Sequence, residues 1–184
     1  MKIALISDLH GQKNTLGYIQ EIISRDNPDA FIMSGDITTR DKAEFFDRIM
    51  QIFSDAKVDA FVICGNSDGP NARKAIADSL YNSNLVLRKL GEIKIYGVGE
   101  TELPEKLDSD AIKDSILITH RPPLTSVLTK VLPNAPKFHI SGHIHNKRVF
   151  KQFASTKLIQ VPSLTSGSYA IFDPITEKVE FKAA

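Results

Sequence analysis

One cysteine is all that the 184-residue chain contains, and this limits the kinds of protein it can be. Cys64 cannot form a disulfide within the chain, so a disulfide-stabilised scaffold is excluded and a reducing compartment is the default. We therefore expect a cytoplasmic protein. Because Cys64 ends an apolar run, we expect it to be a small buried hydrophobe.

Long hydrophobic runs and an excess of one charge are also missing. The apolar run at residues 3–6 is followed by Ser7 and Asp8, which makes it too short for a signal-peptide core or a membrane span. The formal net charge is only +1, which argues against a dominant nucleic-acid or membrane surface. The length predicts one domain, or one domain with a small appendage.

Three repeats of strand, loop and helix are predicted in the first half of the chain. Continuous apolar runs at residues 3–7, 30–34 and 58–64 are typical of strands that are buried on both faces. Each run precedes a segment with helical spacing of its apolar residues, and these helices are predicted at residues 14–25, 42–54 and 71–81, the second capped by Asp41. This alternation predicts βαβ units with a mostly parallel sheet.

Short strands dominate the second half. A pair around Gly91 is predicted at residues 85–90 and 92–98, and further strands at 115–119, 137–141, 148–153, 157–161, 169–172 and 178–181. The predicted connections include a polar loop at 101–110, a short helix at 109–113 and a helix at 124–132. The many strands predict a second sheet packed on the first.

Polar side chains follow five of the predicted strands, at the point where each strand ends. They are Asp8 with His10, Asp36, Asn66 with Asp68, His120, and His143 with His145. Ligands of open α/β sheets bind outside the carboxyl ends of the strands, so these side chains are expected to meet along one edge. Asp68 is expected to lie behind the ligands. The other residues supply two carboxylates, one amide oxygen and four imidazoles, a set that suits two divalent transition ions with one carboxylate bridging them.

Each of these residues also has an ordinary explanation when it is taken alone. Asp8 could cap the first helix, Asp36 could close a turn, and Asn66 could be a turn residue. The two histidines of the last motif could lie in a surface turn. Matched positions at successive strand ends favour a ligand set instead.

Other polar residues fit no ligand position. His139 lies inside a predicted strand and is expected to be structural, facing a groove or a polar partner. Lys147 and Arg148 are expected to form a solvated edge. Arg121 follows His120, and its guanidinium could take two oxygens of a phosphate, so a substrate contact and a surface position both stay open.

In order and placement, the strand-end residues resemble the motifs of the calcineurin-like metallophosphoesterase family. The family's motifs are Asp-x-His, Gly-Asp, Gly-Asn-His-Asp/Glu, His and Gly-His-x-His. Here they read Asp8-Leu9-His10, Gly35-Asp36, Gly65-Asn66-Ser67-Asp68, His120 and Gly142-His143-Ile144-His145. Each motif alone is weak, but five in order are specific. The compact length resembles the small prokaryotic members.

The resemblance implies an α/β fold, an αββα sandwich of two mixed β-sheets flanked by helices, with residues 1–184 as a single domain. It places a dinuclear metal site at the strand C-terminal edge. The roles it implies are Asp8, His10 and His145 on one ion, Asn66, His120 and His143 on the other, and Asp36 as the bridge. A water or hydroxide between the ions would attack phosphorus in line.

The activity that the resemblance implies is a metal-dependent phosphoesterase, either a phosphodiesterase or a phosphatase, acting on a small phosphoester. Two divalent ions are expected, with Mn²⁺ first and Fe, Ni²⁺, Co²⁺ and Zn²⁺ open. The candidate catalytic residues are Asn66, Asp68 and Arg121. No membrane or strong nucleic-acid partner is expected, and homo-oligomerisation stays open.

One residue departs from the family's pattern, and one alternative function stays open. Ser67 stands where the family often has a histidine credited with stabilising the transition state or protonating the leaving group, so poorly activated esters are expected to lag. The alternative is a non-catalytic scaffold or protein-binding module on the same fold. Scaffolds lose metal-site residues, whereas all seven candidate ligands are present here.

Overall fold

Three strand–helix units form the first half of the molecule. The computed structural model describes residues 1–39, 41–100, 107–122 and 134–184. Strands β1 (Ile3–Ile6), β2 (Ala30–Ser34) and β3 (Asp59–Ile63) are parallel, and they are followed by helices α1 (Asn14–Asp26), α2 (Ala43–Ala56) and α3 (Pro70–Asp78). The predicted βαβ units are therefore confirmed.

Besides a 3₁₀ turn at Leu164–Ser166, eight strands and a short α-helix are described in the second half. They are β4 (Leu87–Leu90), β5 (Ile93–Val98), α4 (Ser109–Ile112), β6 (Ile116–Thr119), β7 (Phe138–Ser141), β8 (Val149–Phe153), β9 (Thr156–Gln160), β10 (Ser168–Asp173) and β11 (Lys178–Ala183). The predicted pairing around Gly91 is confirmed, because β4 and β5 are antiparallel. The predicted helix at 124–132 and most of the predicted loop at 101–110 lie outside the described residues.

The strands form two mixed sheets, in the orders β11-β10-β1-β2-β3 and β4-β5-β6-β7-β9-β8. Not every strand of the second half joins the second sheet. Strand β10 returns to pair antiparallel with β1, with Ala4 opposite Ile171, and β11 then pairs with β10. Apolar periodicity could not show this, because a strand buried on both faces suits either sheet.

Alternating side chains of β1 to β3 divide the core into two layers. Ile3, Leu5 and Phe61 pack against the second sheet, where Ile118 and Ile140 lie in the same cluster. The other face of the first sheet packs on α1 and α2, through residues such as Ile6, Phe31, Ile19 and Phe53. Helix α4 covers part of the outer face of the second sheet. The architecture is the αββα sandwich that the resemblance implies.

One predicted helix cap is wrong. Asp41 does not cap α2, whose N-terminus has no side-chain capping hydrogen bond within the described part of the chain. Its carboxylate accepts instead from the Ala72 amide at 2.9 Å and from Asn71 Nδ2 at 2.6 Å, in the first turn of α3. Gly69 precedes α3 and has no side chain to cap it, so Asp41 supplies this function from a neighbouring loop.

None of the helices in the described ranges combines the length and the apolar composition that crossing a bilayer requires.

Candidate metal centre

The loops after β1, β2, β3, β6 and β7 converge at one edge of the sandwich, and they bring all seven predicted ligands together. Four of these residues leave their strands with positive φ: Asp8 at 53°, His10 at 51°, Asp36 at 51° and His143 at 69°. Left-handed backbone is uncommon for residues other than glycine and is concentrated at functional sites, where surrounding contacts enforce it. These sharp turns aim the side chains into one space.

The first group of donor atoms comes from Asp8, His10 and His145. The two Nε2 atoms are 3.1 Å apart, and Asp8 Oδ1 lies 3.4 Å from His145 Nε2 and 3.9 Å from His10 Nε2. One such donor atom from each residue lies within 4.8 Å of the others, which suits a common metal ion. Asp8 Oδ1 is buried and has no hydrogen-bond donor among the described residues.

The second group surrounds His120 Nε2. Asn66 Oδ1 lies 3.1 Å from this nitrogen and His143 Nδ1 lies 3.2 Å from it. His120 Nδ1 lies 2.8 Å from the Ser34 carbonyl oxygen, which can only accept, so Nδ1 carries the proton. The lone pair of Nε2 therefore points at the other donor atoms, as in a metal-ligating histidine held by a backbone carbonyl.

Asp36 lies between the two groups. Its Oδ1 is 3.4 Å from His120 Nε2 and its Oδ2 is 3.9 Å from His10 Nε2, so each oxygen faces a different group. Burial raises the pKa of this carboxyl, but the interaction with His120 and the hydrogen bonds from Ser67 outweigh it and lower the pKa to about 2. The carboxylate is therefore ionised at neutral pH. A Cβ on Gly65 would collide with it, so only glycine permits this approach.

The sequence profile of calcineurin-like phosphoesterases matches residues 1–147. The chain belongs to this family. A search of curated proteins finds no match.

Solved structures show the same fold at low sequence identity. An archaeal phosphodiesterase is 18% identical, with a TM-score of 0.63 and all of both chains covered. A dimetal phosphatase from Danio rerio is 12% identical, with a TM-score of 0.70 and coverage of 100% of this chain and 95% of that one. Vps29 from Entamoeba histolytica is 16% identical, with a TM-score of 0.52 and coverage of 100% and 99%.

Asp68 lies behind the site of this phosphoesterase-family chain. The carboxylate is 2% exposed, and it accepts from the amides of Thr38 at 2.7 Å and Gly65 at 2.8 Å. Burial raises its pKa. Because its oxygens bind the loops after β2 and β3, the geometry gives Asp68 a positioning role, and its predicted part in catalysis stays a prediction.

Arg121 lies at the rim of the site. Its Nε donates to Glu100 Oε1 at 2.8 Å, Nη1 lies 3.1 Å from His143 Nε2, and Nη2 lies 3.4 Å from Asn66 Oδ1. The guanidinium is thus anchored on one side by a carboxylate and faces the predicted ligands on the other. This placement is compatible with the predicted phosphate contact.

Two residues beside the site have no motif in the sequence. One is Glu100, the anchor of Arg121. The other is Arg73 on α3, which donates to the backbone carbonyls of Asp68 at 2.6 Å, Gly65 at 3.1 Å and Glu100. This guanidinium joins the loop that carries Asn66 to the segment that carries Glu100. A lone arginine on a helix gives no local signal of such a role.

The expectations for His139 and Cys64 are confirmed. His139 is fully buried, its Nε2 lies 2.7 Å from Thr119 Oγ1, and burial lowers its pKa to about 4. Thr119 Oγ1 also donates to the Arg121 carbonyl oxygen at 2.6 Å, so His139 is the donor in its pair with Thr119. Cys64 is buried, which raises the pKa of its thiol to about 11.

Proposed function

We propose that the chain is a metal-dependent phosphoesterase with a dinuclear centre, formed by the seven ligands Asp8, His10, Asp36, Asn66, His120, His143 and His145. The observation that carries the proposal is the position of Asp36, whose two oxygens face two separate groups of donor atoms. The first group would be Asp8, His10 and His145, and the second Asn66, His120 and His143.

The residues present fit a pair of divalent ions. Asp8 Oδ1 is a buried anionic oxygen without a hydrogen-bond donor among the described residues, an arrangement that is costly unless a cation binds it. A bound cation also explains the close approach of His10 Nε2 to His145 Nε2, because the lone pairs of the two nitrogens can both bind one ion. The nitrogen and oxygen donors favour transition ions, and we propose Mn²⁺, with Fe, Ni²⁺, Co²⁺ and Zn²⁺ as alternatives.

Divalent ions, when bound, supply Lewis acidity that makes water nucleophilic near neutral pH and neutralises charge on phosphoryl oxygens. The protein's own residues do the rest. The two hydrogen bonds from Ser67 help to keep Asp36 ionised, and the Ser34 carbonyl holds His120 in the tautomer that would bind an ion. Arg121, held by Glu100, offers N–H groups at the rim to the oxygens of a phosphate.

The substrate class that we propose is a small phosphodiester or an activated phosphomonoester, in the cytoplasm. Ser67 occupies the position from which a histidine could protonate a poor leaving group. Without that imidazole, esters whose alcohol leaves readily are favoured. The rival function is a scaffold on the same fold, and the likeness to Vps29, whose name states no activity, is compatible with it. The complete ligand set favours the enzyme.

The decisive experiment is hydrolysis of a chromogenic phosphodiester by the purified chain, combined with elemental analysis. We expect chelation to abolish hydrolysis, Mn²⁺ to restore it, and two ions per chain in the active sample. One ion or none in an active, metal-saturated sample would rule out the dinuclear centre. Two bound ions without hydrolysis of any phosphoester in a broad panel would favour the scaffold.

A further inference from the structure

A cavity of about 400 Å³ adjoins the candidate metal centre. Residues that line it include His145, Arg148, Ser163, Thr165, Ser166 and Ser168. They come from the loop after β7, from the turn between β9 and β10 and, in the case of Ser168, from the first residue of β10. None of the candidate roles assigned above uses this cavity.

The cavity is continuous with the centre through shared residues. His145 belongs both to the first group of donor atoms and to the cavity wall. Ser163 is tied to the same group, because its amide donates to the His145 carbonyl at 2.9 Å and its Oγ donates to the Asp8 carbonyl at 2.7 Å. A molecule bound at the centre can therefore extend into the cavity past His145.

Arg148 gives the cavity a positive charge. Arg148 Nη2 donates to Ser168 Oγ at 2.9 Å, while Ser166 Oγ lies 3.1 Å from Ser168 Oγ and donates to the Ser163 carbonyl oxygen at 2.8 Å. No carboxylate is part of the cavity lining in the described part of the chain. The arginine ion pairs found in the described ranges involve Arg25, Arg88 and Arg121 instead. Arg148 thus keeps its charge uncompensated by a carboxylate among these residues.

We propose that this cavity is a substrate subsite that selects phosphoesters whose organic part carries a second anionic group, a carboxylate or a phosphate, bound by Arg148. The proposal rests on the proposed function and adds a substrate class to it. Lys147 and Arg148 are both exposed, which confirms the expected solvated edge, and the proposal adds a binding role for Arg148.

The test uses pairs of 4-nitrophenyl alkyl phosphates whose alkyl chain ends either in a carboxylate or in the isosteric carboxamide, with chains of increasing length. The full chain loaded with Mn²⁺ is assayed for kcat/KM on each pair. At the best chain length we expect kcat/KM to be about tenfold higher for the carboxylate than for the carboxamide. A charge-assisted hydrogen bond contributes an effect of this size. Arg148→Gln should abolish the preference.

The matched control is Lys147→Gln, which removes one positive charge from the neighbouring residue. Lys147 lines a different cavity, with Pro122 and Phe153, so the preference should survive this substitution. Equal kcat/KM for both members of every pair in the unmodified chain, or a preference that survives Arg148→Gln, would overturn the proposal.

A binding measurement separates this proposal from the proposed function. Calorimetry of the Mn²⁺-loaded chain with alkyl phosphonates that end in a carboxylate or a carboxamide needs no turnover. If no ester is hydrolysed, the proposed function fails, while about tenfold tighter binding of the carboxylate that depends on Arg148 would still support the subsite. Equal binding of both phosphonates would count against the subsite alone.

Discussion

Ser67 donates a hydrogen bond to each oxygen of Asp36, from its amide to Oδ1 at 2.7 Å and from its hydroxyl to Oδ2 at 2.9 Å. The residue that replaces the family's frequent histidine therefore orients the carboxylate that we propose as the bridge. Partners of metal ligands fix the ligand's orientation and contribute to metal affinity.

The first prediction concerns this contact. Ser67→Ala should lower metal affinity about tenfold, because it removes one of the two bonds that orient Asp36, and losing such a partner typically costs about 10–100-fold. Ser67→Thr should retain the affinity. Metal titration of each variant measures the effect, with the exposed Ser54→Ala as the control. Unchanged affinity in Ser67→Ala would show that the amide alone holds the carboxylate.

The second prediction compares Asp36 with a ligand that belongs to one group only. Asp36→Ala should lose dinuclear binding, because it removes a negative charge that faces both groups. His10→Ala should keep at least the ion of the second group, since Asn66, His120 and His143 remain. Elemental analysis of both variants decides the matter, and full, equal occupancy in both would refute the bridging role.

The ends of the strands were predicted well from local patterns. The apolar run that forms a strand and the polar residue that follows it are adjacent in the sequence. Asp8, Asp36 and His120 could be placed at one edge for that reason. Contacts between distant loops could not be predicted in the same way. Arg73 bonds carbonyls up to 27 positions away, and the pairing of Arg121 with Glu100 joins two loops that meet only in the folded chain. The return of β10 to the first sheet is another long-range choice.

The third prediction concerns stability away from the metal centre. Asp26, at the end of α1, accepts from Tyr169 OH at 2.6 Å and Lys182 Nζ at 2.7 Å, which tie the helix to β10 and β11. Burial raises its pKa, but these hydrogen bonds outweigh burial and the net pKa is lowered. Its contribution to stability is therefore complete above the unfolded pKa, near 4, and is lost as the pH falls through the lower folded value.

The corresponding variant is Asp26→Asn, which should lower the free energy of unfolding by about 1–3 kcal/mol at pH 7. The difference from the unmodified chain should shrink below about pH 4. Denaturant unfolding across this pH range measures it. Asp47→Asn, which changes an exposed carboxylate on α2, serves as the control and should have no comparable effect. A difference that stays constant down to pH 2 would contradict the assigned ion pair.

The fourth prediction concerns the pair of Arg121 and Glu100. Arg121→Ala should lower kcat/KM for a phosphoester by about tenfold or more, because a charge-assisted contact with the phosphate is lost. Arg121→Lys should recover only part, since an ammonium cannot offer two parallel N–H groups. Glu100→Gln should raise KM more than it lowers kcat, because it loosens the guanidinium without removing it. The exposed Arg48→Ala is the control, and equal kinetics in all four variants would remove Arg121 from the site.

The last prediction concerns the leaving group. Ser67 is neutral, the Asp68 carboxylate is occupied by four donors from Ile37, Thr38 and Gly65, and His139 is fully buried. Because these residues cannot protonate a departing oxygen, the hydrolysis rate should fall steeply as the pKa of the leaving alcohol rises. General acid catalysis typically contributes about 10²–10⁴-fold, so an alkyl ester should be hydrolysed at least about 10²-fold more slowly than a nitrophenyl ester of similar size.

Ser67→His should not restore hydrolysis of the alkyl ester, because Asp68 is already engaged and cannot orient the new imidazole. The measurement is a plot of log kcat/KM against leaving-group pKa for both proteins. A flat plot in the unmodified chain would mean that another group delivers the proton, and a gain confined to the alkyl ester in Ser67→His would mean that Asp68 gives up its loop contacts to hold the imidazole.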